Sequence, residues 1–377
     1  MSRVIPSFVV LGLVVLDFVL GSFSDAHFVS AAHAQETVAE VDLDAMTAKA
    51  IRFLRVTQSD DGSWTKSDML GVTALVTTSL LRSGVSADDP MVAAALKHLL
   101  ASQQPSGGFH SKESLQKNYS TCITIFALSE ANQDGKYDAV IKKAEGFLRE
   151  LQWDAGEGIE SSDPAFGGGG YGSHQRPDLS NTQYLIDALR KAGVQDDDPA
   201  MEKIRVFVSR TQNLESAANR TKFAGRINDG GFYYTPAAGG DSKAGTTENG
   251  GLRSYGSMTY AGLKSLIYAG VKEDDERVVA AKGWLQKHYT LKENPGVGQQ
   301  GLFYYYHTFG KTMSLVAADG KFVDADGKSH NWKAELVARL AELQQRNGSW
   351  QNPADRWYEG DPNLVTAYSL LGLSYCK

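Results

Sequence analysis

The chain has 377 residues, 42% of them hydrophobic and 22% charged, a composition of an ordinary globular protein. Its formal charge of −6, with 44 acidic against 38 basic residues, excludes the basic surface that nucleic acid requires. Thirty-eight glycines imply many sharp connections that need positive φ.

The N-terminus differs from the rest. Arg3 precedes a nearly continuous apolar run from Val4 to Leu20, and Ala32-His33-Ala34 then gives the small-x-small pattern that precedes signal-peptidase cleavage. Residues 1–34 are therefore read as a signal peptide and 35–377 as one exported domain, periplasmic or secreted. The competing reading is an uncleaved membrane anchor, which the shortness of the run and Asp17 within it disfavour.

From residue 42 onward, amphipathic stretches alternate with stretches that are apolar nearly all round. The amphipathic helices are predicted at 42–58, 89–103, 138–152, 199–212, 275–289 and 331–345. In the second of these, Val92, Leu96, Leu99 and Leu100 make one face, with Lys97 and His98 turned outward. The apolar, small-residue helices are predicted at 69–83, 118–131, 179–192, 254–269, 302–317 and 362–375. A helix packed on two sides needs such a composition.

Two kinds of connection join them, and both repeat. Ser83-Gly84-Val85 to Pro90, Ala192-Gly193-Val194 to Pro199, and Ala269-Gly270-Val271 to Glu276 each follow an apolar helix. The Gly ends that helix in the left-handed region, an Asp caps the next, and Pro sits where no amide is wasted. The other kind follows an amphipathic helix and carries Gly and an aromatic. Gln58 to Trp64 and Gln345 to Trp350 are near copies; Gly107-Gly108-Phe109, Gly167 to Gly172, Asp229 to Phe232 and Gly301-Leu302-Phe303 are weaker relatives. Because the last unit copies the first, the units are predicted to close into an all-α (α/α)6 toroid of six helical hairpins, the apolar helices inside.

Loops at 153–177 and 213–252 exceed what a connection needs. Asp324-Ala325-Asp326-Gly327 resembles the start of a calcium loop, but the later acidic ligands are absent and an ordinary turn is expected. Cys122 and Cys376 have no metal-type spacing and read as small apolar residues. No residue set calls for a metal or a cofactor.

The repeated Gln-x-x-(Asp/Asn)-Gly-Ser-Trp turns beside small-residue helices resemble the QW repeats of squalene–hopene cyclase-like proteins, whose α/α toroid is shared by the protein prenyltransferase β subunits. The resemblance spans about 42–377 and implies the toroid fold and an isoprenoid or other apolar ligand in the central cavity. The catalytic motifs it would carry over are altered. The cyclases' D-x-D-D-T-A segment is best matched by Asp178-Leu179-Ser180-Asn181-Thr182-Gln183, where Ser180 occupies the proton-donor position. A serine hydroxyl is too weak an acid to protonate an alkene. The prenyltransferase zinc ligands are replaced as well: Val365 stands at the histidine position, and Tyr255-Gly256-Ser257 offers neither acid nor thiol.

In a closed α/α ring the N-termini of the inner helices meet at one mouth of the cavity and add partial positive charge there. This makes Asp178, His307 and Asp361 the acid–base candidates, and Asn181, Gln183, Arg253, Tyr255, Tyr304, Tyr305 and Asn363 the ligand-binding candidates. Of Tyr304-Tyr305-Tyr306, at most two can face the cavity. Three functions are compatible with these residues. The first is a terpenoid-cyclase-like protein that binds or rearranges an isoprenoid. The second is a carbohydrate-active toroid, whose two carboxylates would stand roughly 5–9.5 Å apart. The third is a non-catalytic scaffold that offers loop 213–252 to a protein partner.

Overall fold

The computed structural model describes residues 42–172 and 175–377, so the signal-peptide reading of 1–34 lies outside the described residues. In chain order the helices are α1 (Leu43–Thr57), α2 (Leu70–Arg82), α3 (Pro90–Ala101), α4 (Lys117–Glu130), α5 (Asp138–Glu150), α6 (Leu179–Lys191), α7 (Pro199–Arg210), α8 (Ala224–Ile227), α9 (Gly256–Tyr268), α10 (Glu276–Lys287), α11 (Leu302–Val316), α12 (Trp332–Leu343) and α13 (Pro362–Ser374). Each predicted long helix is present, shifted by a residue or two at its ends. No helix of the described residues is long and apolar enough to cross a membrane.

Helices α2, α4, α6, α9, α11 and α13 each pack on the next, and α13 returns to α2, which closes the inner ring. The remaining long helices form the outer layer, each against one or two inner helices. Inner α2 buries ten of its residues, whereas outer α1 buries four along one stripe, Met46, Thr47, Ala50 and Leu54. That is the difference the two compositions predict.

The connections after the inner helices are short, and Arg55 and Arg149 of the preceding outer helices reach Asp89 and Asp198 in two of them. Asp89, Asp198 and Asp275 accept from the backbone N–H two residues on, at 2.8–2.9 Å, and so cap α3, α7 and α10. After α11 the connection is longer. There β1 (Lys321–Val323) and β2 (Ser329–Asn331) form a hairpin in place of the bare turn expected. Its Asp324 accepts from the N–H groups of Asp326 and Lys328 and meets His330 at 3.1 Å, as a turn residue does. Cys122 and Cys376 are free thiols.

The connections before the inner helices do something the sequence did not reveal. Gln58 Nε2 donates to the Gly62 carbonyl at 3.0 Å and to the Met91 carbonyl of the next outer helix at 2.8 Å. Gln103, Gln152 and Gln212 repeat the pair onto Val140, Ala200 and Arg277. Gln344 completes the circuit onto Met46 of α1, at 3.0 Å. The glutamine in register is thus Gln344; its neighbour Gln345 bonds within the turn. Five turns therefore bind five of the six hairpins each to the next around the ring. Glycine is required in them by close approach: at Gly348 (φ +92°) a Cβ would lie 2.4 Å from the Lys49 carbonyl oxygen.

In the same five turns a backbone N–H donates to a threonine of the following inner helix, Thr73, Thr121, Thr182, Thr259 or Thr366. The indoles of Trp64 and Trp350 donate back to the Leu54 and Leu340 carbonyls at 2.8 and 2.7 Å and are fully buried. The sixth connection, 288–301, lacks this unit. Gly301 there opens α11, and Asn294 bonds Ser257 instead.

Candidate functional site

The N-terminal turns of the inner helices surround a cavity of about 500 Å³, within the range of small-molecule sites. Met69, Leu75, Ile123, Met258 and Leu364 supply aliphatic wall, and Tyr119, Tyr171, Tyr234, Tyr255, Tyr304 and Tyr368 supply rings. Lys66, Asp68, Glu113 and Lys243 also line it. Both long loops contribute to the wall. Loop 153–177 brings Tyr171. Loop 213–252 brings Tyr234 and Lys243, and docks through the Tyr234 carbonyl, which accepts from Leu179 N–H at 2.8 Å. Tyr171 and Tyr234 hydroxyls lie 3.5 Å apart.

The sequence candidates separate into three groups. Tyr255 and Tyr304 line the cavity, together with Tyr119 of α4 and Ser180 of α6. Burial pushes both tyrosine hydroxyls well above their ordinary range, so they are neutral hydrogen-bonding groups. Tyr305 turns away into the core and donates to the Thr290 carbonyl at 2.7 Å; Tyr306 donates to Leu291. One tyrosine of the three faces the cavity.

A second group caps helices. Asp178 is buried and accepts from the Asn181 N–H and side chain, both at 2.8 Å. Burial raises its carboxyl to about 6, against those hydrogen bonds and the opposing pull of Tyr234 and Arg176. Asn181 also accepts from Asn118, tying α6 to α4. Asp361 caps α13 through Asn363 and Leu364 N–H and accepts from Thr65 at 2.7 Å. Asn363 accepts from Thr57 at 2.7 Å. Together these two residues join the last inner helix to the first hairpin.

The third group lies elsewhere. Arg253 is exposed, its Nε on the Thr246 carbonyl at 3.2 Å, and holds its own loop. His307 is buried deeper in the barrel, stacked on Tyr368, and its Nδ1 has no partner. Burial and the cations of Lys311, Lys264 and Arg82 push it well below its usual range, so it is a neutral imidazole. Gln183 sits between the cavity and that deeper region, donating to the Tyr304 hydroxyl and accepting from Lys264.

Sequence reasoning missed the segment that forms one lip of the cavity. Glu359 is buried and lines the wall, and it accepts from the Tyr304 N–H at 2.7 Å, the Phe303 N–H at 3.3 Å and Asn352 at 2.7 Å. It caps α11 from a distance of 55 residues, so no local pattern could disclose it. Burial pushes its carboxyl up to about 7. It also anchors Trp357 and Tyr358, both at positive φ (60° and 66°) and 40% and 62% exposed at the lip, opposite Leu115.

A closed ring of six inner helices with its cavity at their N-terminal mouth defines the class: an α/α toroid of the terpenoid cyclase and prenyltransferase type. Residues 66–235 match the family profile described as the squalene–hopene cyclase C-terminal domain. The type II terpene cyclase MstE from Scytonema, as a variant complexed with geranylgeranyl dihydroxybenzoate, is similar at a TM-score of 0.52 and 14% identity, covering 89% of this chain and 97% of that one. Candida albicans protein geranylgeranyltransferase-I complexed with GGPP is similar at 0.54 and 13% identity, covering 89% and 91%. A D-mannose isomerase is similar at 0.56 and 13%, covering 90% and 98%. At such identities these likenesses concern the fold. No curated protein sequence matches the chain. Fold and profile together bear out the resemblance to squalene–hopene cyclase-like toroids.

Proposed function

We propose that this chain is an exported, terpenoid cyclase-like toroid that holds an isoprenoid or similarly apolar ligand in its mouth cavity. The observation that supports this is the cavity itself, walled by aliphatic side chains and seven tyrosines from the inner helices and the loops beside them. Aromatic faces bind apolar chains and also stabilise positive charge on carbon. The fold relatives complexed with geranylgeranyl compounds support the same ligand class.

Ligand binding is the activity proposed. Ser180 stands where a cyclase would carry its proton donor, and a serine hydroxyl lacks the acidity. Of the acid–base candidates, Asp178 is raised to about 6 by burial, but it caps α6 through Asn181 and is not part of the cavity wall. The test is a thermal-shift series with polyprenyl alcohols, polyprenyl acids and hopanoid-type lipids. Protection by several degrees is expected from at least one; a flat response across the series refutes the reading. Export is tested separately. The N-terminal sequence of the protein recovered from outside the cytoplasm should begin at Gln35, and an intact apolar segment would mean an anchor instead.

A further inference from the structure

Below the cavity, the barrel interior holds a charged cluster that ligand binding by apolar contact does not use. Asp187 of α6 receives Lys264 of α9 at 2.7 Å and Lys311 of α11 at 2.6 Å. Asp187 and Lys264 are almost completely buried. Lys264 also donates to the Gln183 backbone carbonyl at 3.2 Å and to its side-chain oxygen at 2.8 Å. Three acceptors around its nitrogen match the three hydrogens of the charged form. Burial lowers Lys264 to about 7 while Lys311 stays charged beside Asp187, so an excess of positive charge stands behind Gln183 while Lys264 is protonated.

From Gln183 a chain of hydrogen bonds runs up to the cavity. An ammonium can only donate, so the Gln183 atom it meets is the amide oxygen, and the NH2 therefore points at the Tyr304 hydroxyl. Tyr304 lies 2.9 Å from Ser180 Oγ, and Ser180 lies 2.6 Å from the Tyr119 hydroxyl. All three hydroxyls line the cavity. Between them they hold three hydrogens. Two are consumed in the two contacts among themselves, and the amide at the end, being a donor, takes none. One hydrogen is left, whichever way the chain is oriented. Among the described residues no protein acceptor meets it.

We propose that the Tyr119–Ser180–Tyr304 trio is a hydrogen-bond donor subsite, and that the apolar ligand carries a carboxylate or ester carbonyl oxygen that binds there. The positive excess behind Gln183 favours the carboxylate. This rests on the apolar-ligand reading and specifies one end of that ligand. It also gives Ser180 a role: it passes on a hydrogen-bond direction at the position where a cyclase would deliver a proton.

The test is calorimetric titration of the whole protein with farnesoic acid, methyl farnesoate and farnesylamine. The wild type is expected to bind the acid about tenfold or more tightly than the amine, the worth of one charge-assisted hydrogen bond. Gln183→Glu is nearly isosteric, but its carboxylate accepts from both Lys264 and Tyr304. The third hydrogen is then consumed and the trio can only accept. In that variant the preference should invert to the amine. The neutral ester should weaken by about tenfold, which a change of charge alone would not cause. Tyr119→Phe leaves two hydroxyls and one mutual contact, so one hydrogen stays free and the preference for the acid persists. Equal binding of acid, ester and amine by the wild type overturns the subsite while sparing the apolar-ligand reading. An unchanged preference in Gln183→Glu overturns the wiring. Binding of none of the three overturns the apolar-ligand reading, and the subsite with it.

Discussion

The connections that follow the inner helices and those that precede them solve different problems. The first kind closes its own helix ends, a glycine ending one helix and an aspartate capping the next a few residues later, and its Asp89 and Asp198 are each held by an arginine of the preceding outer helix, Arg55 or Arg149. The second kind reaches across the molecule, a glutamine bridging to the neighbouring outer helix and a threonine receiving the turn's N–H. The reaching ones couple five of the six hairpins each to the next, and they also frame the cavity mouth. Stability of the ring and placement of the site therefore depend on the same segments.

That contrast is open to breakage by mutation. Trp350→Ala empties a fully buried indole pocket and orphans the Leu340 carbonyl, so a loss of about 3–5 kcal/mol is expected in urea unfolding. Gly348→Ala should follow, at roughly 2–5 kcal/mol, because its Cβ meets the Lys49 carbonyl at 2.4 Å as well as adopting positive φ. Gly84→Ala has the same kind of φ but nothing within 4 Å, and should cost only about 1–2 kcal/mol. Equal losses at the two glycines would mean that the reaching turns are no more coupled than the local ones.

The cavity lip gives a pH signature. The Glu359 carboxyl is held near 7 in the folded chain, above its unfolded value of about 4.3. The folded state therefore binds the extra proton between those values. Its contribution is complete below the unfolded value and disappears as pH rises through 7, a loss on the order of 3 kcal/mol. Glu359→Gln should flatten the fall in stability between pH 5 and 7; an unchanged slope would place the titrating group elsewhere.

Gln344→Ala leaves the Met46 and Gly348 carbonyls without their donor and should cost about 1–3 kcal/mol, against about 1–2 kcal/mol for Asp89→Ala, which removes the α3 cap and the half-exposed Arg55 pair together. The smallest effect on stability, within about 0.5 kcal/mol, is expected for Trp357→Ala at the exposed lip. Isoprenoid affinity in that variant should nevertheless drop, and undiminished binding would remove the lip from the site.

Much of the fold was legible because its signals are periodic and local. The burial stripe of α3, the glycine–aspartate caps and the copied Trp64 and Trp350 turns each lie within a dozen residues. The threonines that receive the turns escaped notice, since insertions of different length separate Trp64 from Thr73 and Trp350 from Thr366. In the candidate site, Tyr255 and Tyr304 were placed at the mouth by their position before or at the start of inner helices. His307 sits one helical turn further along α11 and so falls below the cavity floor. Arg253 lies in a loop that turns its side chain to solvent.

The sequence by itself determined the ring: the number of hairpins, the inner and outer layers, and the end at which the cavity opens. These follow from hydrophobic periodicity and capping, which act over one or two turns of chain. Only the tertiary structure decided which polar groups meet. Glu359 reaches α11, Gln183 joins Tyr304 to Lys264, and one hydroxyl hydrogen of Tyr119, Ser180 and Tyr304 is left without a protein acceptor among the described residues. Those outcomes depend on bonds between helices distant in sequence, where the direction of each donor is set by its neighbour rather than by its own residue type.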